Sequence, residues 1–302
     1  MVKFILIGNR RENRRVKNVV AFLNMKGGVC KTTLCKEIAY TITRQNEDMK
    51  VLIIDIDPQS NCTQSFFEKY KVIDGDSISK YRKIKSDLPS IENLFSKPYD
   101  MLDSSDLDKI IYKFDEQLHI IPGSLNTVFM DRETTNGNDQ TLLNFIKEKN
   151  LKEQYTYIFI DCPPTYSFYT ISALLAADYY LVPLVPDIYS LLGLDLLNEV
   201  VRRMNSKYRA ILEYNPIENM GIIFTKIPTL KQVSVSMSGN IDEIKEIFSQ
   251  FYFFEESFQQ SDKLATNKLE TFILDREDKT LINNITLISN EFIERMKNLN
   301  GK

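Results

Sequence analysis

Lys26-Gly27-Gly28-Val29-Cys30-Lys31-Thr32-Thr33 is the stretch on which the fold turns. An apolar run, Val19 to Leu23, leads into it. A helical stripe follows it, with Leu34, Ile38 and Ile42 spaced four apart and Cys35 and Ala39 beside them. Between a strand and a helix, glycines let backbone N–H groups close around phosphates, and the helix N-terminus adds partial positive charge. Lys31 is then placed to reach the β- and γ-phosphates, and Thr32 offers its hydroxyl to Mg²⁺. A bare glycine-rich turn is a weak signal. Gly-Gly-x-x-Lys-Thr-Thr in this context is a much more specific one.

Working outward, further short runs are rich in Val, Ile, Leu, Phe and Tyr: Val51 to Ile54, His119 to Ile121, Tyr157 to Ile160, Tyr180 to Val185 and Gly221 to Thr225. Their apolar character is continuous, as expected of parallel strands covered on both faces. Helical patterns lie between them, including Leu191, Leu194, Leu197, Val200 and Val201. Strand followed by helix, repeated, predicts an α/β fold with a doubly wound, mainly parallel sheet, and such sheets bind ligands at the carboxyl ends of their strands. We expect one nucleotide-binding domain over residues 1–302, with an insertion at about 72–132 that carries Asp74-Gly75-Asp76 as a turn. Leu281, Ile285, Ile288, Phe292, Met296 and Leu299 form one stripe, which predicts a packing helix at about 279–299.

Two acidic motifs complete the site. Val51 to Ile54 lead into Asp55-Ile56-Asp57-Pro58-Gln59-Ser60-Asn61, and Tyr157 to Ile160 lead into Asp161-Cys162-Pro163-Pro164. A lone Asp after a strand is usually a cap or turn residue. Two such motifs behind a phosphate-binding loop instead suggest carboxylates that orient water around Mg²⁺, a hard cation that keeps several waters.

Composition narrows the classes. A net charge of −3 excludes a uniformly basic coat, so contact with nucleic acid must come from a local patch. No apolar run approaches the roughly 20 residues of a membrane helix, and Val2 to Ile7 is too short for a signal peptide. Four cysteines without framework spacing suit a reducing cytoplasm. With one histidine, His119, in a strand-like run, chemistry built on histidine clusters is excluded and that residue reads as structural.

These motifs together resemble the ParA/MinD family of deviant Walker A ATPases, and most closely its ParA branch. Asp55-Ile56-Asp57-Pro58-Gln59 with Asn61 is similar to the second motif of that branch, and Asp161-Cys162-Pro163-Pro164-Thr165 to its Walker B segment. Ile171-Ser172-Ala173-Leu174 to Ala177-Asp178 also fits. The resemblance spans roughly residues 18 to 70 and 117 to 295. It implies that Lys26 is the signature lysine crossing a dimer interface to the partner's nucleotide. Lys31 acts with it on the phosphates, and Asp57 positions the attacking water. Residues Lys26 to Thr33 bind ATP, while Thr32, Asp55 and Asp161 lie on the Mg²⁺ side. It further implies a cytoplasmic ATPase of plasmid or chromosome partition, nucleoid-associated when ATP-bound. ATP would close a sandwich homodimer that binds DNA without sequence preference, and a centromere-binding partner protein would stimulate hydrolysis.

The departures matter as much. Cys30 stands where the family has glycine, and if φ is positive there its Cβ costs about 1–2 kcal/mol, a roughly ten- to thirty-fold loss of affinity. The residue reads either as a tolerated substitution or as a regulatory thiol, since a helix N-terminus and Lys31 would favour thiolate. Only about 17 residues precede the first strand, too few for the helix-turn-helix domain of larger ParA proteins. Candidate DNA contacts are Arg202 and Arg203, with Lys207 and Arg209 nearby, and Lys263 and Lys268 further on. Arg10, Arg11, Arg14, Arg15 and Lys17 form a solvated turn or a phosphate-contacting arm. The alternatives are a MinD-like membrane-cycling ATPase, against which Glu291 and Glu294 in the last helix argue, and a nucleotide switch whose hydrolysis Cys30 impairs.

Overall fold

In the computed structural model, the described residues are 16–72, 88–96, 99–103, 107–124, 138–213, 215–228, 234–261 and 272–301. Asp74-Gly75-Asp76, the arginines at 10, 11, 14 and 15, Lys263 and Lys268 lie outside them. The strands are β1 (Val19–Phe22), β2 (Val51–Asp55), β3 (Tyr112–Lys113), β4 (Leu118–Ile121), β5 (Tyr157–Asp161), β6 (Tyr179–Leu184), β7 (Glu218–Ile227) and β8 (Phe258–Gln259). They form one sheet of order β3-β4-β2-β5-β1-β6-β7-β8. Every pairing is parallel except β3 with β4, so the expected mainly parallel sheet is the observed one.

Side chains alternate across the strands, and each face has its own core. Val19, Ala21, Ile54, Ile158 and Ile160 face one layer. It contains α3 (Ile91–Phe95), α4 (Thr141–Glu148), α6 (Phe168–Ala176) and α7 (Ile188–Lys207). Val20, Phe22, Ile53 and Phe159 face the other, with α1 (Lys31–Gln45), α2 (Asn61–Lys69) and α10 (Lys279–Leu299). The short helices α5 (Leu151–Gln154) and α8 (Arg209–Leu212), together with α9 (Val235–Ile247), complete the chain. Burial on both faces explains why the strands read as unbroken apolar runs.

Described residues of the stretch expected as an insertion pack into the main body. β4 sits inside the sheet next to β2, and Ile91, Leu94 and Phe95 are buried in the core. Two-residue strands such as β3 and β8 carry too few side chains to show a period, which is why pattern reading misses them. His119 is buried, as a structural residue would be. Its ring nitrogens meet the Tyr155 hydroxyl at 2.7 Å and the Asp115 carbonyl at 3.1 Å, and burial lowers its pKa to about 4.

The stripe of α10 packs as its spacing predicts: Leu281, Ile285, Ile288, Phe292 and Met296 are all buried. Phe292 meets the rings of Tyr157 and Phe159 edge-on, at 5.5 and 5.1 Å. Phe292→Ala therefore opens a cavity between α10 and the middle of the sheet. The expected loss is about 3–5 kcal/mol of stability, measured by urea unfolding, with a slope close to that of the native protein.

Candidate functional site

Three neighbouring strands end at one level. The parallel register sets Asp55 of β2 opposite Asp161 of β5, and Asp161 opposite Phe22 of β1. Adjacent strands lie about 4.8 Å apart, so the two acidic motifs and the loop leaving β1 share one edge. The meeting at one carboxyl edge is the one expected of a doubly wound sheet, although the three segments are separated by tens of residues along the chain.

The loop from Asn24 to Thr33 is built by its own hydrogen bonds. Asn24 is buried. Its amide donates to the Pro183 carbonyl at 2.8 Å, and its carbonyl oxygen accepts from the Lys26 N–H at 2.9 Å. Gly28 has φ 72°, where glycine avoids a Cβ clash. Cys30 is the N-cap of α1, with φ 67° and ψ 26°, and its side chain caps nothing. No acidic residue stands in the first turn of α1. The amide hydrogens at the helix start therefore remain free to meet an anion.

The positive φ at Cys30 confirms the reason glycine is expected there. The thiolate expectation is corrected. Burial raises the Cys30 thiol above its ordinary value, and the opposing effects of Lys226 and Thr225 do not overcome it. The half-buried sulfur is partly withdrawn from water, which disfavours the charged thiolate.

The lysines are engaged within the protein. Lys31 is buried, and its ammonium donates to the Lys26 carbonyl at 3.1 Å. Burial lowers its pKa, against the pull of Asp161, Cys162 and Asp57. The ammonium of Lys26 pairs with Asp187, the N-cap of α7, and lies 6.0 Å from the centre of the Tyr189 ring. Burial opposes ionisation of Asp187, but Lys26 and Ser190 hold its pKa below the usual carboxylate value.

The three carboxylates differ in environment. Asp55 is fully buried, and its Oδ2 accepts from the Thr63 N–H at 2.8 Å and the Thr63 hydroxyl at 2.6 Å. Burial raises its pKa to about 7 in spite of those bonds. Gly123 closes over this group: a Cβ there would stand 2.7 Å from Ser60 Oγ and 3.0 Å from Asp55 Cγ. Its N–H also donates to Thr63 at 2.8 Å. Asp57 is 8% exposed and accepts from the Gln59 N–H at 2.9 Å, which leaves a carboxylate oxygen at the rim of the site.

Asp161 is also fully buried, but neither of its oxygens has a hydrogen-bond partner of good geometry. Burial and the Asp55 charge raise its pKa well above normal, with the Thr32 hydroxyl near enough to favour the charged form. A buried carboxylate left this way costs energy unless something cationic answers it. Among the described residues no three His, Cys, Asp or Glu side chains form a direct metal cage. A hydrated ion shared with phosphate fits such a site, because Mg²⁺ keeps most of its waters. Thr32 and Asp161 fit that role by position, whereas Asp55 is turned toward Thr63.

The site thus brings together Lys26 to Thr33, Asp55, Asp57 and Asp161. Thr63, Gly123 and Asp187 support it but carry no motif of their own. Arg202 and Arg203 lie elsewhere, exposed on α7, and both pair with Glu199, at 2.6 and 2.7 Å.

A model of the AAA domain family matches residues 17–214. The chain is 26% identical over 233 residues to the chromosome partitioning protein ParA of Caulobacter vibrioides, covering 74% of each. It is 28% identical over 236 residues to the sporulation initiation inhibitor protein Soj of Bacillus subtilis, covering 76% of this chain and 79% of that one. An ATP complex of a McdA variant from Cyanothece shares the fold, with a TM-score of 0.72 and 20% identity over 92% of this chain and 97% of that one. The chain belongs to the AAA domain family, and within it to the ParA-type partition ATPases.

Two outcomes follow from the site. Asp161→Asn removes a carboxylate whose folded pKa is raised, so the penalty it relieves is absent below about pH 4 and grows as pH rises above that value. At pH 8 the ligand-free variant should be more stable than the native chain by about 1–3 kcal/mol. At pH 4 the thermal midpoints should converge. Cys30→Gly should relieve about 1–2 kcal/mol of strain and tighten ATP binding. With its thiol pKa raised by burial, native Cys30 should react slowly with thiol reagents at pH 7 and faster as pH rises.

Proposed function

We propose that this chain is a partition ATPase that binds Mg²⁺ and ATP at the carboxyl ends of β2, β5 and β1 and closes a sandwich homodimer around the nucleotide. The observation that carries the reading is the uncapped start of α1 beside an unanswered, buried Asp161. Anionic phosphate suits the first feature, and a cation suits the second. Mg²⁺, when bound, would neutralise charge on the phosphates. Thr32 and Asp161 would hold it, directly or through water, while Asp55 fixes the loop that carries Asp57. Lys31 exchanges the Lys26 carbonyl for phosphate oxygens. Asp57, at the rim, orients the attacking water.

Dimerisation is supported by the surface beside Lys26. Tyr189, Leu192 and Leu196 occupy one side of α7 and are 70%, 72% and 55% exposed. Apolar side chains of this size at helical spacing, next to the nucleotide site, suit burial by a second copy. Lys26 would leave Asp187 as it reaches across to the partner's nucleotide.

The Caulobacter vibrioides relative is a chromosome partitioning protein, and a DNA cargo is the reading we favour here. DNA contact falls to Arg202 and Arg203, whose surface pairing with Glu199 is too weak to withhold them from phosphate. A centromere-binding protein would trigger hydrolysis, and the working site would be the cytoplasm and nucleoid. Among the described residues no helix is long and apolar enough to cross a membrane. A MinD-like role is disfavoured by Glu291 of α10, which accepts from the Tyr252 hydroxyl at 2.8 Å and the Glu255 N–H at 2.8 Å. Those bonds tie the helix to the body. A disabled switch is disfavoured because the loop keeps its left-handed turn with Cys30 in place.

Lys31→Ala should abolish nucleotide binding, whereas Asp57→Ala should keep binding, slow hydrolysis and hold the dimer. Lys31 acts on ground-state phosphates and Asp57 on the water. Gel filtration with ATP and Mg²⁺, alongside a phosphate-release assay, separates the two. Equal loss of affinity in both variants contradicts the assignment. DNA binding should require ATP, fall steeply with salt, and weaken for all sequences when Arg202 and Arg203 become alanine. Binding indifferent to salt and to both substitutions removes DNA from the scheme.

A further inference from the structure

The end of β7 carries a residue in an unusual state. Lys226 has φ 57°, a left-handed conformation that non-glycine residues rarely adopt. Its pairing partners on β8 shift at this point, between Thr225 and Ile227. Both flanking residues are buried, whereas Lys226 is exposed. A strained backbone of this kind persists only where its surroundings hold it, and such positions gather at binding sites. Thr225 provides the hold, donating its hydroxyl to the Val29 carbonyl of the phosphate-binding loop at 3.2 Å.

That anchoring brings the lysine to the loop. A Cβ built on Gly28 would lie 4.0 Å from the Lys226 ammonium nitrogen, and the Cys30 thiol feels the same charge. Of the three lysines at this mouth, Lys31 is bonded to a carbonyl and Lys26 is paired with Asp187. Among the described residues no carboxylate pairs with Lys226. It is therefore an ammonium placed beside an anion-binding loop with no carboxylate partner among the described residues.

We infer that Lys226 is a binding residue for the polyphosphate of the nucleotide, contributed from the far end of the sheet to the same subunit's loop. The inference rests on the nucleotide site proposed above. It assigns Lys226 a selective role: an added cation at the loop favours the ligand with more negative charge, so it discriminates triphosphate from diphosphate. Lys226 also offsets part of what Cys30 costs, because it adds attraction where the substituted residue adds strain.

The test is competition binding of ATP and ADP, each with Mg²⁺, against a fluorescent nucleotide. Lys226→Gln and Lys226→Asn remove the charge, and Asn tolerates the left-handed backbone. Both should weaken ATP about tenfold and ADP about threefold or less, while Lys226→Arg should stay near the native values. The ratio of the two affinities does not depend on the folded fraction, so it holds even for a destabilised variant. Unchanged ATP affinity, equal loss for both nucleotides, or loss in Lys226→Arg as large as in the neutral variants overturns the inference. Lys31→Ala run in parallel separates the two failures: if it retains ATP, the nucleotide site itself is misassigned.

Discussion

The parallel register that sets Phe22, Asp161 and Asp55 side by side is the constraint on which the rest of this molecule depends. A parallel strand pair must be joined by a crossover, so each strand delivers its carboxyl end to the same edge and each return helix covers a face. The edge then collects whatever follows the strands. Here those are a glycine-containing loop and two acidic motifs. A slip of one residue in β2 or β5 would turn its carboxylate to the opposite face, which is why continuous burial of these strands fixes the site as well as the core.

The site holds unfavourable features that the surrounding fold maintains. Cys30 and Ser60 both start helices from left-handed conformations, without a side-chain cap. Asp161 has two buried oxygens with no good partner, and Lys31 is kept from water. Each costs stability in the empty protein. The opposite edge of the sheet shows how a satisfied acid looks. Asp178 is equally buried, but it accepts from the Asn18 and Val19 N–H groups, from Lys152 and from Asn215. The contrast is between a carboxylate answered within the fold, Asp178, and one that is not, Asp161.

Charge is distributed by the same logic. Lys26 rests on Asp187 and Lys31 on a backbone carbonyl, so the empty loop does not present concentrated positive charge to solvent. The part-exposed Lys26–Asp187 pair contributes little to stability and can be exchanged for phosphate at small cost. The apolar side of α7 runs away from the same corner, which places the lysine and the exposed Tyr189, Leu192 and Leu196 on one continuous surface.

The loop Lys26 to Thr33 was legible from the sequence because backbone phosphate binding demands glycines and a lysine at fixed spacing, whatever surrounds them. The strands were legible because burial on both faces leaves only apolar residues, and α10 because its stripe has a single period. Asp55 and Asp161 were recognisable as ends of strands. Their different conditions were not. Thr63 lies eight residues beyond Asp55, and Gly123 beyond β4, and neither belongs to a local pattern. The turn of Cys30 follows from its place in the loop, but the state of its thiol depends on burial that one segment cannot report. Lys226 reaches the loop only through the bulged end of a strand nearly 200 residues away. Local chemistry is written along the chain; which charges meet a partner, and which stay unanswered, is decided by the packing that brings distant segments to one edge.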